Sequence, residues 1–386
     1  MASPSTTLSV YPPIYRLGKV GKVLRDSLMK AIIRGTPVLM QIQSFRSPSV
    51  TTFMKGVSFL GEEEFYTILV PFVTWTLNFK MGCLLAILMG LGFCVGGFLK
   101  NILCLPRPPS PPIVPADHCH DWSFPSHHAI LNVTIPWYIW IFCYTRFNWS
   151  PLVLGIAFMG VSFWCFSILF SRLYLGVHSP ADIMAGGIIG CLLLVGYLLV
   201  DDVLFKDLMS SLQFSFLCVL FMCAFLAFFP DPYPRTIIVS ETAGMLCVSI
   251  GVIVGVSLNR ALGLKAKASF EETDPLYITA CLRYFVGIGV VLFCKFMFGI
   301  VTKFLVSNSL TLLGLQHHYT RITSDVLPPL VHYSPDTFVV LDKPGEKLKS
   351  SILPLNIYLP VKIIVYFLCG ACISSGMFFL VHLCQF

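Results

Sequence analysis

Apolar runs of about sixteen to twenty-five residues recur along most of this chain, as in "KMGCLLAILMGLGFCVGGFLK" (80–100). A helix of that length crosses a hydrocarbon core of roughly 30 Å, and in lipid an α-helix satisfies its own backbone donors and acceptors. The pattern therefore predicts an all-α fold: a polytopic transmembrane helical bundle. Candidate spans fall at about 64–79, 81–103, 129–147, 151–170, 181–200, 210–229, 237–258, 280–305 and 361–385, a count of nine with eight to ten as its bounds. Composition agrees. Of 386 residues, 56% are hydrophobic and only 12% charged, where a soluble domain carries about a quarter charged residues. The mean hydropathy is +0.81.

The first residues, "MASPSTTLSVYPPIYRLGKVGKVLRDS", lack the charged-then-apolar order of a secretory signal, so insertion is expected to depend on the internal segments. The net charge of +7 is gathered in small clusters such as Lys19, Lys22 and Arg25. Clusters of that size mark lipid-facing loops and orientation, and nucleic-acid binding is not expected. Fifteen cysteines are scattered, many inside apolar runs (Cys83, Cys94, Cys165, Cys191), without the spacing of a disulfide framework or a zinc ribbon. There they act as small hydrophobes.

Three regions follow. Residues 1–60 read as interfacial and partly amphipathic, 61–202 as a transmembrane core, and 203–386 as a further transmembrane region with a polar loop at about 306–360. "PRPPSPPIVPADHCHDW" (106–122) is proline-dense and predicts an extended, stiff loop. Gly92/Gly96 and Gly186/Gly190 have the four-residue spacing that lets helices approach closely in lipid.

The span assignment alone brings distant polar residues to one side of the membrane. The second span ends at Lys100 and Arg107; the third begins at His128; the fourth returns to end at "SRLYLGVHSPAD" (171–182). Lys100, Arg107, Ser126, His127, His128, Arg172, His178 and Asp182 thus share a face. Three strong cations with histidines and one carboxylate suit an anionic ligand, and a phosphate monoester fits best. Arginine's fork matches phosphate oxygens, and lysine adds a point charge. Ser126 stands where an N-cap would, and "SPAD" places Ser179 at a cap, Pro180 at the first helical position and Asp182 at the third.

Each residue alone has a plainer reading. Asp182 and Ser126 can be simple caps, and Lys100 and Arg107 can snorkel from a span end. Their joint occurrence on one face favours function, because ionisable groups within a membrane protein mark functional sites. In "DHCHD" (117–121), His118, Cys119 and His120 are too tightly spaced for one tetrahedral metal site, and a polar wall near the entrance is expected instead. No cofactor and no metal is expected.

"KNILCLPRP", "FPSHH" and "SRLYLGVHSPAD" resemble, in order and internal spacing, the three motifs of the type-2 phosphatidate phosphatase superfamily. The resemblance covers roughly residues 60 to 200. Within it, "LPRPPSPPIV", "EEEFYTILVPFVTW" (62–75) and "SRLYLGVHSPADI", with several spans after the third motif, are most similar to sphingosine 1-phosphate (long-chain base 1-phosphate) phosphatases.

The resemblance implies a metal-independent lipid phosphatase acting through a phosphohistidine. His178 would be the nucleophile, with Asp182 orienting its ring. His128 would protonate the leaving alkoxide and then activate water. Lys100, Arg107 and Arg172 would hold the phosphate, with Ser126 and nearby amides assisting, and Ser171 as a further contact. The implied partners are a phosphorylated sphingoid-base lipid and membrane lipids, in a multi-pass endoplasmic reticulum protein whose site faces the lumen; a homo-oligomer is compatible with the sequence. His127 departs from the pattern, since that slot commonly holds glycine. It is expected to be a bystander, with contact to phosphate or headgroup as the alternative.

Other readings stay open: a phosphatase of the same superfamily acting on phosphatidate, an isoprenoid diphosphate or a glucose phosphate, or a transporter that binds anionic lipid without cleaving it. The sequon at Asn148 lies on the face opposite the site, so a lumenal site predicts that it carries no glycan.

Overall fold

The computed structural model describes residues 6–9, 18–116, 121–230, 232, 236–263, 276–314, 337–340 and 355–376. The chain is a bundle of helices. Three short ones, α1 (Gly18–Arg34), α2 (Thr36–Gln43) and α3 (Pro48–Phe59), precede α4 (Glu63–Phe72), which continues as a π-helical turn, Val73–Leu77. Then come α5 (Phe79–Leu103), α6 (His127–Arg146), α7 (Pro151–Tyr174) and α8 (Pro180–Leu198). A short α9 (Asp201–Val203) leads into α10 (Leu212–Ala227), α11 (Ile238–Ala261), α12 (Leu276–Leu312) and α13 (Leu355–Ala371). Two four-residue strands, β1 (Thr6–Ser9) and β2 (Thr337–Val340), pair antiparallel with Thr6 opposite Val340.

Local chemistry sets the helix ends. Asn78 caps α5 by accepting from Met81 N–H; Ser150 caps α7 ahead of Pro151. At α8, Ser179 and Asp182 form a reciprocal capping box around Pro180, as the sequence predicts.

Six helices among the described residues are long and apolar enough to cross a membrane, or seven if the bent pair Asp201–Leu208 and Leu212–Ala227 forms one span. The described residues therefore do not confirm the expected count of nine. The stretch expected at 64–79 is broken: α4 stops at Phe72 and its π-helical extension at Leu77, leaving too short a helix. The stretch expected at 129–147 is one continuous helix, α6, whose histidines, Asn132, Thr134 and Pro136 dilute its apolar character. Of the polar loop expected at 306–360, residues 306–312 continue α12, 337–340 form β2 and 355–360 open α13; 315–336 and 341–354 lie outside the described residues.

The most apolar windows of α5 and α11 are 78% buried and those of α7 and α12 only 11%, so the first pair forms the centre and the second faces lipid. Close approach at the centre depends on small residues. A Cβ at Gly90 would lie 2.0 Å from Ser249 Oγ, which donates to Ala86 O across the α5–α11 seam. The two glycine pairs of the sequence bracket α6: Gly92 and Gly96 face it from α5, and Gly186 and Gly190 from α8.

Helices α1 and α2 are not merely interfacial. Arg25, read in the sequence as part of a lipid-facing cluster, is buried, and its guanidinium donates to Leu103 O (2.9 Å) and Cys104 O (3.3 Å). It thereby satisfies carbonyls left open at the C-terminus of α5. Gln43 holds the proline-rich segment in both directions, donating to Val114 O (3.2 Å) and accepting from Val114 N–H (3.1 Å). At the far end of the bundle, Asp201 takes Arg146 (2.9 Å) and the Tyr138 hydroxyl (2.8 Å).

Candidate active site

A cavity of about 260 Å³ opens where α5 ends, α6 begins, and α7 hands over to α8. Lys100, Arg107, Arg172, His127, His128 and His178 all line it, so six of the residues that the span pattern placed on one face do meet.

Each cation is held by a different element. Lys100, one turn from the end of α5, is buried and donates to Trp122 O (2.7 Å) and to Asp121. Arg107, in the loop after α5, donates Nη1 to Val177 O (2.6 Å), and its Nη2 pairs with Asp121. Arg172, in the last turn of α7, donates to Ser58 Oγ at 2.5 Å. Asp121 thus bridges Lys100 and Arg107. Burial alone would push its carboxyl up; Arg107 and Lys100 outweigh that and hold it far below the ordinary carboxylate range.

His178 lies in the turn between α7 and α8 and is almost wholly buried. Arg107 Nη1 is 3.1 Å from its Nε2. Its Nδ1 is 3.7 Å from Asp182 Oδ2, beyond hydrogen-bond range, and 3.4 Å from Ser123 Oγ. The same Asp182 oxygen accepts from Ser123 Oγ and from Ser179 N–H, both at 2.6 Å. Burial, with the Arg107 and Arg172 charges, holds the His178 imidazole well below its ordinary pKa, so the ring is neutral at neutral pH. The rings of His128 and His178 face one another across the cavity at 6.5 Å between centroids.

Three predicted residues stand apart from the cavity wall. Ser126 caps α6 by accepting from Ala129 N–H (3.4 Å), and its own N–H donates to Asp182 O (3.2 Å). Asp182 is fully buried behind His178. The Ser171 hydroxyl donates to Ile168 O at 2.7 Å within its own helix. His127 lines the cavity but packs on α5, its ring 5.0 Å from that of Phe93; a Cβ at Gly96 would lie 2.3 Å from it. His118, Cys119 and His120 lie outside the described residues.

Several contributors were not anticipated. Gly61, Glu62, Glu63 and Glu64 enter from the start of α4, and Ile237 and Glu241 from the start of α11. Asp121 and Ser123 stand immediately before the "FPSHH" motif, where a carboxylate and a hydroxyl beside a cation-rich motif were the available signal. Nothing local marks Glu241: it reaches the cavity only because α11 packs along α5.

Residues 81–205 match the model of the PAP2 superfamily. A "Probable sphingosine-1-phosphate phosphatase" of Dictyostelium discoideum is 30% identical over 247 residues, 61% of this chain and 60% of that protein. "Lipid phosphate phosphatase delta" of Arabidopsis thaliana is 25% identical over 306 residues, 76% and 73% of the two chains. "Sphingosine-1-phosphate phosphatase 1" of Rattus norvegicus is 30% identical over 274 residues, 68% and 62%. The chain spans 60% of the length of the first of these relatives.

Proposed function

We propose that this multi-pass membrane protein, whose residues 81–205 form a PAP2 superfamily domain, is a phosphatase that hydrolyses sphingosine 1-phosphate or dihydrosphingosine 1-phosphate. The observation that carries the reading is the pairing of a neutral, buried His178 with a second imidazole, His128, in a cavity lined by three basic side chains. The names of the relatives narrow the substrate.

The chemistry runs in two displacements. His178 Nε2 attacks phosphorus, the phosphorus–ester oxygen bond breaks, and His128 gives a proton to the departing lipid alkoxide. The proton on Nδ1 then faces Asp182 and Ser123, which support the cationic phosphohistidine. Water next attacks phosphorus while His128 takes a proton back, the phosphorus–nitrogen bond breaks, and inorganic phosphate leaves. Lys100, Arg107 and Arg172 meet the charge on the phosphate oxygens. For this ligation Asp121 has to yield donors on Lys100 and Arg107.

Orientation belongs to the same reading: an endoplasmic reticulum protein with its site in the lumen. Asn148 sits in the turn between α6 and α7, at the end of α6 away from His128. With a lumenal site it carries no glycan, and glycosylation at Asn148 would reverse the orientation.

The test is release of inorganic phosphate by the purified full chain, in chelator, from sphingosine 1-phosphate, phosphatidate and an isoprenoid diphosphate, with His178→Ala as control. Faster turnover of sphingosine 1-phosphate, abolished in the variant, is expected. Hydrolysis of phosphatidate alone would move the protein to another branch of the superfamily. Loss of all activity in chelator would overturn the mechanism.

A further inference from the structure

The cavity has two signs. Alongside its three cations it carries acidic side chains that a site for phosphate alone has no use for, and two of them come from helices other than α5 to α8: Glu63 from the first turn of α4 and Glu241 from the first turn of α11. Neither forms an ion pair with a basic side chain among the described residues. Glu63 Oε2 is shut away from solvent and accepts no hydrogen bond. A carboxyl oxygen removed from water without a hydrogen-bond partner is costly, and its persistence beside a ligand cavity points to a partner that the ligand brings. Burial pushes the Glu63 carboxyl up, against the pull of Lys362 and Lys295, whose ammonium groups lie over the Tyr366 ring at 5.4 and 5.2 Å from its centre. They temper the charge of this corner without satisfying that oxygen.

We propose that Glu63 and Glu241 receive a primary ammonium group of the substrate, so that the site selects lipid phosphates bearing a free amine close to the phosphate ester over amine-free ones. This rests on the phosphatase reading above and adds the residues that discriminate. The arrangement follows from charge complementarity: a zwitterionic headgroup places its anion among Lys100, Arg107 and Arg172 and its cation at the two glutamates. It also gives the C-terminal half of the chain a role at the site, because α11 supplies one of the two carboxylates.

The experiment compares kcat/KM for sphingosine 1-phosphate with that for lysophosphatidate, a single-chain phosphate with no amine, in the full chain. Wild type, Glu63→Gln, Glu241→Gln, and the charge-retaining Glu63→Asp and Glu241→Asp are measured. The ratio of the two values should fall about tenfold or more in each Gln variant, since a hydrogen bond to a charged group is lost, and the Asp variants should recover part of it. The change should appear in KM for the amine substrate. A ratio that stays at the wild-type value in both Gln variants would overturn the proposal, as would an equal fall for both substrates. Wild-type protein that hydrolyses neither lipid would instead remove the phosphatase reading itself, and this inference with it.

Discussion

Ser123 donates its hydroxyl to Asp182 Oδ2 at 2.6 Å, and the same oxygen atom of Ser123 lies 3.4 Å from Nδ1 of His178. The direct imidazole–carboxylate distance is longer, 3.7 Å. Ser123 therefore stands between the two groups that a His–Asp pair would join, and Asp182 is anchored by Ser123 and the Ser179 amide at least as much as it anchors His178.

Ser123→Ala should lower kcat about tenfold with little change in KM, because the carboxylate loses one donor and its aim at His178 loosens. Asp182→Asn should cost more, at least about a hundredfold, since the proposed phosphohistidine cation would then lack a counter-charge. Steady-state phosphate release measures both. Equal losses would mean that Ser123 acts only through Asp182 and has no separate part.

Asp121 occupies donors of Lys100 and Arg107 that a phosphate would also use. Asp121→Asn should therefore strengthen inhibition by inorganic phosphate, with Ki falling several-fold as the competing charge disappears. A rise in Ki would assign Asp121 to orienting the two cations. Stability carries a separate signature. A carboxyl held below its unfolded-state pKa stabilises the fold above that pKa, about 3.9, and the benefit is lost as pH falls further toward the folded value. The Asn variant should thus melt earlier than wild type at neutral pH, with the gap closing only below about pH 4.

The parts of this site that hydropathy could reveal are those at span ends. Lys100, His128, Arg172 and His178 converge because consecutive long helices must return to the same face, and that follows from counting spans. What hydropathy hid depends on packing between elements remote in sequence. Glu241 reaches the cavity through the α5–α11 seam, and Ser58 reaches Arg172 because α3 lies along α7. Arg25 shows the same limit: a basic residue in a short amphipathic helix reads as surface until α1 is seen to bring it onto the carbonyls ending α5. The expected span at 64–79 misled for a different reason. Length and apolarity can be read off a segment, but the π-helical turn that ends the α4 stretch at Leu77 cannot.

The pH profile tests the state of His178. Its pKa is held below the ordinary histidine value of about 6.5 by burial and by Arg107 and Arg172. As the proposed nucleophile it stays neutral, and competent, as pH falls past 6.5. The acid limb of kcat/KM should accordingly lie below that value in wild type. Arg107→Gln removes one of the charges responsible, so the limb should move upward while kcat falls sharply. A limb at or above pH 6.5 in wild type would contradict the buried, cation-flanked setting of the ring.

Gly96 and His127 test which of the two adjacent histidines matters. A Cβ at position 96 would lie 2.3 Å from Cδ2 and 2.4 Å from Nε2 of His127, so Gly96→Ala cannot be accommodated unless the imidazole moves. Overfilling a packed interface costs about 1–3 kcal/mol, and here the displaced ring begins the helix that also carries His128. The single variant should lose thermal stability, and its kcat should fall as the start of α6 shifts. His127→Gly removes the obstacle and should leave kcat near wild type, because the His127 ring packs on Phe93 of α5. The double variant Gly96→Ala/His127→Gly should then regain most of what Gly96→Ala loses, a coupling between neighbours that a double-mutant cycle in melting temperature and kcat measures directly. If His127→Gly alone abolished turnover while the protein kept its melting temperature, His127 would be handling phosphate or headgroup, and the expectation of a bystander would be wrong.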